Sequence, residues 1–190
     1  MVFKKLILGL TISALAGCSL FIPQTRYITE TFFPELDVTI ETPAFQKQAG
    51  FTTHDELMGF LERVVSRDQS KAVMQVIGQS QQGRSIPMVL FKASEKPAVK
   101  IWLQGGLHGN EPASSEGMLW LIHQLINNGE WSEVLKQAHI AIVPTVNVDG
   151  YEVQDRYADN GLDLNRDQTK LMAKESILLR RAFNQFAPDV

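Results

Sequence analysis

A histidine and a glutamate three residues apart are the side chains in this sequence whose types and spacing best suit metal binding. His108 and Glu111 lie in the stretch QGGLHGNEPASSEG, with glycines before and between them and Pro112 directly after. Zinc in a hydrolytic site usually takes three protein ligands, drawn from histidine and carboxylates, and keeps a fourth position open. This pair can supply two ligands, although a loop hydrogen bond and a helix N-terminus would explain the same residues.

A second polar stretch, TVNVDGYEVQDRYADNGLDLNRD, could complete such a site. Asp163 could accept a hydrogen bond from the far ring nitrogen of His108, which would fix the tautomer that binds a metal. Arg156 could stabilise an oxyanion, and the planar fork of Arg166 suits a carboxylate. Without the first stretch, a solvated polar loop would be the simpler interpretation.

Together the two stretches resemble the zinc carboxypeptidase family, the M14 metallopeptidases. The family pattern is His-x-x-Glu after a strand, then Asn-Pro-Asp-Gly, an arginine and Asp-x-Asn-Arg, and here these read HGNE, NVDG, Arg156 and DLNR. The upstream stretch GQSQQGRSI is similar to the family's Gly-x-Ser-x-x-Gly-Arg hairpin. The resemblance covers about Leu57 to Val190, with Val148 in place of the proline as a mild departure.

The resemblance implies a role for each candidate residue. His108 and Glu111 would bind one zinc ion, Asp163 would hold His108, and Arg156 would be the catalytic residue that polarises the scissile carbonyl. In the family, zinc lowers the pKa of a water molecule toward about 7.

Asn165 and Arg166 would bind the terminal carboxylate of a peptide substrate, which the resemblance implies as the partner. The family also needs a third ligand, a histidine on a later strand, and a glutamate that activates water, and neither occurs before the sequence ends at Val190. We therefore expect the chain to be a fragment that is inactive alone. The other histidines are poorly placed to substitute; they are His54, His123 and His139.

Hydrophobic periodicity predicts the elements that position these residues. Thr53 and Glu56 form a predicted capping box before the first helix, and His54 in its first turn is expected at the surface. The predicted strands are Val73–Ile77, Pro87–Lys92, Lys100–Leu103 and Ile140–Val146, and further helices are expected over ASSEGMLWLIHQLINNG, WSEVLKQA and KLMAKESILLRRAFNQFAP. The last four residues resemble the approach to another strand.

This order predicts an α/β fold with a mixed, largely parallel sheet and helices on both faces, truncated before the later strands of a zinc carboxypeptidase-like domain. In such sheets, sites form at loops off the carboxyl ends of strands. The His108 loop and the predicted loop Asn147–Arg166 both follow strands. We predict a signal peptide over 1–17, a tether over 18–49 and the N-terminal part of a catalytic domain over 50–190.

The N-terminus predicts secretion and a lipid anchor. Lys4 and Lys5 precede a short apolar run that is too short to span a bilayer but suits a signal peptide. The run ends in LAGCS, which resembles the lipobox of bacterial lipoproteins and implies lipidation of Cys18; a plain secretory signal is the alternative. Ser19 after the cysteine favours the outer membrane, so we expect a lipid-anchored protein of the bacterial cell envelope that faces the periplasm.

Composition narrows the function further. The formal net charge of −3 and the pI near 5.8 give no electrostatic case for nucleic acid. The leading expectation is a zinc-dependent metallocarboxypeptidase, with cell-wall peptides as a candidate substrate because of the location. Two alternatives stay open: an N-acyl amino acid deacylase of the desuccinylase or aspartoacylase type, and a non-catalytic lipoprotein.

Overall fold

The chain forms helices and strands over the described residues, which in the computed structural model are 39–93, 96, 97 and 99–190. The predicted signal peptide and Cys18 lie outside these residues. All elements belong to the compact unit Ile40–Val190. Within the described part of the chain, no helix has the length and apolar composition that crossing a membrane requires.

The element bounds agree with most of the predicted segments. The helices are α1 (His54–Ser66), α2 (Pro112–Asn127), α3 (Ser132–Gln137), α4 (Val148–Val153) and α5 (Lys174–Phe186). The strands are β1 (Ala72–Gln79), β2 (Ser85–Phe91), β3 (Val99–Gln104) and β4 (Ala138–Val143), and short 3₁₀ turns cover Pro43–Gln46 and Gly129–Trp131.

The described strands form one mixed sheet in the order β1-β2-β4-β3. The mixed α/β fold is therefore confirmed. The expectation of a largely parallel sheet is wrong for these strands, because β1–β2 and β2–β4 pair antiparallel and β3–β4 alone is parallel. A short turn between β1 and β2 can join antiparallel strands directly, whereas a parallel pair needs a long crossover, which α2 and α3 supply between β3 and β4.

Helices cover both faces of this sheet, as predicted. Because side chains alternate along a strand, Ile140 and Ile142 of β4 join one core cluster, and Ala141 and Val143 join the other. The first cluster packs against α1 and α2, and the second contains Leu179 of α5.

The predicted strand Ile140–Val146 is too long, and the predicted loop after it contains a helix. β4 ends at Val143 because Pro144 has no N–H to donate to a ladder. α4 then begins after Asn147, whose side chain accepts a hydrogen bond from the Gly150 N–H at 3.0 Å. This is the helix-capping role for which asparagine is favoured.

The start of α1 confirms one prediction and corrects another. The capping box of Thr53 and Glu56 is present in both directions. His54 is not at the surface: its side chain is 11% exposed, and its Nε2 donates to the Ser85 carbonyl at 2.8 Å. The buried imidazole thus joins the N-terminus of α1 to the start of β2, where it supplies a donor for a backbone carbonyl.

The chain after α5 returns to the sheet. The Trp102 N–H donates to the Val190 carbonyl at 2.8 Å, and the Asp189 N–H donates to the Lys100 carbonyl at 2.8 Å. Residues 189 and 190 thus run beside β3, as the predicted approach to a strand requires.

Asp167 joins the loop before α5 to the start of that helix. Its buried carboxylate accepts from the Met172 N–H at 3.0 Å and the Ala173 N–H at 2.8 Å. Burial by itself would raise the pKa of Asp167, but these two backbone donors, the Ser176 hydroxyl and the charge of Lys170 together outweigh it and hold the pKa below its ordinary value.

We expect Asp167→Ala to lower the free energy of unfolding by about 2 to 4 kcal/mol at pH 7, because two N–H groups lose their acceptor. Asp167→Asn keeps one acceptor and serves as the matched control, with a smaller loss.

The stability that the charged carboxylate of Asp167 adds is complete above its ordinary pKa of about 3.9. It disappears as the pH falls through the lower folded-state pKa, so urea denaturation should show wild type and Asp167→Asn converging below about pH 4. A difference that stays constant to pH 2 would contradict this role.

Candidate active site

The predicted metal ligands lie together in the loop that follows β3. His108 is 9% exposed, and its Nδ1 lies 3.1 Å from Oε1 of Glu111, whose side chain is 59% exposed. The two side chains therefore meet at the boundary between the interior and solvent. An imidazole nitrogen and a carboxylate oxygen that converge on one point are ligand types that zinc takes.

Asp163 contacts the other ring nitrogen of His108, as the sequence predicts. The distance from His108 Nε2 to Asp163 Oδ1 is 3.0 Å. With Nε2–H donating to Asp163, Nδ1 presents its lone pair toward the carboxylate of Glu111. Two electron-rich atoms that face each other form an arrangement that a cation stabilises, so these residues fit a metal ion.

Several groups keep Asp163 ionised. Partial burial alone would raise the pKa of Asp163, but the hydrogen bonds from His108 and from the Asn165 N–H outweigh it, and the charge of Arg156 adds to them. The pKa of this carboxyl therefore lies below its usual range. An ionised Asp163 accepts the Nε2–H of His108 and so orients the ring.

Arg156 lies between the two carboxylates. Its Nη1 is 3.0 Å from Glu111 Oε1, and its Nη2 is 3.4 Å from Asp163 Oδ2. Its side chain is 36% exposed, so the guanidinium borders solvent while it contacts both acids. The structure thus brings Glu111, Asp163 and Arg156 of the predicted site together around His108.

The two predicted carboxylate binders differ in position. Asn165 lines a cavity of 250 Å³ together with His108 and Glu111, and its N–H donates to Asp163 Oδ1 at 2.9 Å. Arg166 does not line this cavity, and the hydrogen bond described for its side chain runs to the Asn165 carbonyl at 3.4 Å. The site therefore includes Asn165, and the role of Arg166 stays a prediction.

Sequence spacing did not reveal the cluster that holds the second loop in place. Asp149 of the NVDG motif is buried, and its Oδ1 accepts from the Ser80 hydroxyl at 2.7 Å and from Arg84 Nη1 at 2.8 Å. Its Oδ2 accepts from the Gln82 N–H at 3.0 Å. The hairpin turn and the NVDG motif thus form one structural unit. The presence of both motifs in the sequence was the signal from which this contact could have been predicted.

Close backbone packing also joins the two site loops. A Cβ atom on Gly109 would lie 2.0 Å from the carbonyl carbon of Gly150, 2.3 Å from the Tyr151 nitrogen and 2.4 Å from the Asp155 carbonyl oxygen. Position 109, directly after His108, therefore accommodates only glycine.

A family model described as zinc carboxypeptidase, Peptidase M14, matches residues 57–184. The chain belongs to the zinc carboxypeptidase family. The resemblance drawn from the sequence motifs is thus confirmed, and the family supports a hydrolase.

Individual relatives agree with this assignment. Carboxypeptidase 2 of Trichophyton tonsurans is 33% identical over 178 residues, which cover 83% of this chain and 33% of the relative. The chain thus spans about a third of the length of this curated relative.

Solved structures of low identity share the fold. The structure of carboxypeptidase A from Helicoverpa armigera matches with a TM-score of 0.65 and 18% identity, over 77% of this chain and 47% of that one. Bovine thrombin-activatable fibrinolysis inhibitor in complex with tick carboxypeptidase inhibitor matches with a TM-score of 0.62 and 17% identity, over 72% and 56% of the two chains.

We expect Gly109→Ala to destabilise this zinc carboxypeptidase-family chain by about 2 kcal/mol or more, because the new methyl group would overlap backbone that cannot move away cheaply. Gly117→Ala is the matched control: it lies inside α2, and its Cβ would meet no heavy atom within 4 Å. The control should be stabilised by about 1 kcal/mol, since alanine favours helix over glycine. Urea denaturation of both variants checks this, and equal stabilities would show that the contact between the loops is not tight.

Proposed function

We propose that the protein is a metallocarboxypeptidase that hydrolyses C-terminal peptide bonds with the help of one zinc ion. The observation that carries this proposal is the connected group of Glu111, His108, Asp163 and Arg156, in which successive side chains lie 3.0 to 3.4 Å apart. The similarity to carboxypeptidase 2 of Trichophyton tonsurans supports it.

His108 and Glu111 would hold the metal through Nδ1 and the carboxylate. Zinc in such a site supplies Lewis acidity for a carbonyl oxygen and for water. Within residues 39–93, 96, 97 and 99–190 there is no cluster of three histidine, cysteine or acidic side chains that could hold a metal ion. The pair is therefore a partial ligand set.

The other residues of the site would bind and orient the peptide. Arg156 borders solvent beside Glu111, where its guanidinium can donate to the oxygen of a bound carbonyl and to the negative charge that develops on it. Asn165 lines the adjoining cavity and offers an amide to the terminal carboxylate. Arg166, one residue further along, would add a charged donor for the same carboxylate.

The sequence before the described residues supports a location for this activity. The apolar run followed by LAGCS favours lipidation of Cys18 and attachment to the bacterial outer membrane. A protein held there and facing the periplasm would meet cell-wall peptides, which we propose as substrates.

We expect Asp163→Asn to weaken zinc binding by about 10- to 100-fold, because the ring of His108 loses the charged acceptor that orients it. Asp159→Asn removes the same charge from the same loop, where Asp159 contacts Gln82 instead, and should leave zinc affinity unchanged. Competition with a chromophoric chelator measures both affinities. Equal zinc affinities of the two variants would show that Asp163 does not contribute to the metal site.

In the protein expressed from its complete gene, we expect Arg156→Ala to lower kcat for a blocked dipeptide with a free C-terminal carboxylate by about 100- to 1,000-fold, the loss typical of one oxyanion donor. Arg181→Ala, an exposed arginine of α5, is the control and should keep full activity. The dipeptide amide should not be hydrolysed. Faster turnover of an N-acyl amino acid than of any peptide would contradict the carboxypeptidase proposal and favour a deacylase.

A further inference from the structure

A second cleft meets the candidate active site at Glu111. It has a volume of 750 Å³ and is lined by residues between 40 and 51 and by residues between Glu111 and Trp120. Its walls are mostly apolar, and three aromatic side chains on them stay exposed: Phe45 at 60%, Phe51 at 50% and Trp120 at 37%. A mostly apolar cleft with a few polar groups is the usual form of a ligand site.

Glu116 lines this cleft with a buried carboxylate that uses one of its two oxygens. The side chain is 9% exposed. Its Oε1 accepts from the Thr52 N–H and from the Tyr151 hydroxyl, both at 3.2 Å. Its Oε2 has no hydrogen-bond partner among the described residues. A buried polar atom without a partner is costly and needs an explanation.

The contacts of Glu116 within the fold require one acceptor oxygen and do not explain why this position has a carboxyl group. Burial, and then the charge of Glu116, raise the pKa of Tyr151, so the phenol remains a hydrogen-bond donor. Both donors bind the same oxygen, which the side-chain carbonyl of a glutamine would supply equally well. The fold therefore needs Oε1, and it leaves the second oxygen free for another donor.

The carboxyl group of Glu116 also lacks a cationic partner among the described residues. The ionisable side chains that line it are Glu111 and Glu116. Glu111 is paired with Arg156, whereas no ion pair is described for Glu116 within residues 39–93, 96, 97 and 99–190. A carboxylate inside apolar walls is the complement of a cation on an apolar stem.

We propose that this cleft is a subsite for a basic side chain, lysine or arginine, in the part of the peptide upstream of the scissile bond. The methylene stem would pack against Phe51 and Trp120. The cationic head would donate to Oε2 of Glu116 after a small rotation of the carboxylate, whose terminal torsion is soft. Asn165 lines the other cavity at Glu111, so the terminal carboxylate and the basic side chain would occupy different cavities. This inference rests on the proposed carboxypeptidase function.

The test is a binding measurement with acetylated tripeptide analogues whose terminal amide bond is reduced, so that they are not hydrolysed. Each of the two positions before the terminal residue carries lysine in one analogue and norleucine in another. Norleucine shares the methylene stem of lysine but lacks its charge. We compare the zinc-loaded wild type with Glu116→Gln, which keeps the acceptor for Thr52 and Tyr151. Glu133→Gln, an exposed residue of α3 that lies outside the cleft, controls for the lost charge.

We expect wild type and Glu133→Gln to bind the lysine analogue about ten-fold more tightly than the norleucine analogue at one of the two positions, as one charge-assisted hydrogen bond allows. Glu116→Gln should lose this preference and keep its melting temperature. The subsite is disproved if wild type shows no preference, or if Glu116→Gln retains it, while binding still requires a free terminal carboxylate. If amidation of the terminal carboxylate has no effect on binding, the proposed function itself fails.

A second variant tests the apolar wall without touching Glu116. Trp120→Ala shortens the side chain of a partly exposed residue and should weaken the lysine and norleucine analogues by the same factor, about five-fold or more. Unchanged affinity for both analogues would show that the peptide does not enter the cleft, and would overturn the proposal even if Glu116→Gln failed to fold.

Discussion

The parallel pairing of β3 with β4 is the constraint on which the site depends. Because parallel neighbours end at the same edge of a sheet, the loops that follow them start side by side. Backbone hydrogen bonds then continue past the strands: the Val146 N–H donates to the Gly105 carbonyl at 3.1 Å, and the Asn147 N–H donates to the Gly106 carbonyl at 2.8 Å. This continuation brings His108 and Asp163, which are 55 residues apart in sequence, to a distance of 3.0 Å.

Buried carboxylates then fix the loops that the sheet has brought together. Asp149 binds three donors of the β1–β2 hairpin, and Asp167 binds two backbone N–H groups before α5. Both carboxylates accept backbone N–H groups of the segments that they hold in place, which makes them structural. The acids at the site differ, since Glu111 is mostly exposed and one oxygen of Glu116 has no hydrogen-bond partner among the residues that the structure describes. A rigid support with free acceptor atoms at its edge is the arrangement that binding sites need.

Local patterns predicted the parts of this structure that local physics determines. The capping box at Thr53 and the helix after Pro112 follow from spacing and from side-chain chemistry. The proximity of His108 to Asp163, which are 55 residues apart, was predicted from the chemistry of the two side chains and the family's motif order, and not from a local pattern. The order of strands could not follow, because the insertion of β4 between β2 and β3 is decided by packing between distant segments. For the same reason the partners of Asp149 and Glu116 were missed: each lies across more than 30 residues of sequence. The loop containing α4 was misjudged because Asn147 fits a turn and a helix cap equally well.

The claim that His108 and Glu111 bind zinc is tested most directly by X-ray absorption at the zinc edge of the loaded protein, with wild type compared to His108→Ala. We predict imidazole scattering from a nitrogen at about 2.0 Å in wild type, together with a carboxylate oxygen at about 2.0 to 2.2 Å. The variant should lose one imidazole from its first shell. Identical spectra for the two proteins would mean that zinc binds elsewhere, and they would contradict this account of the site.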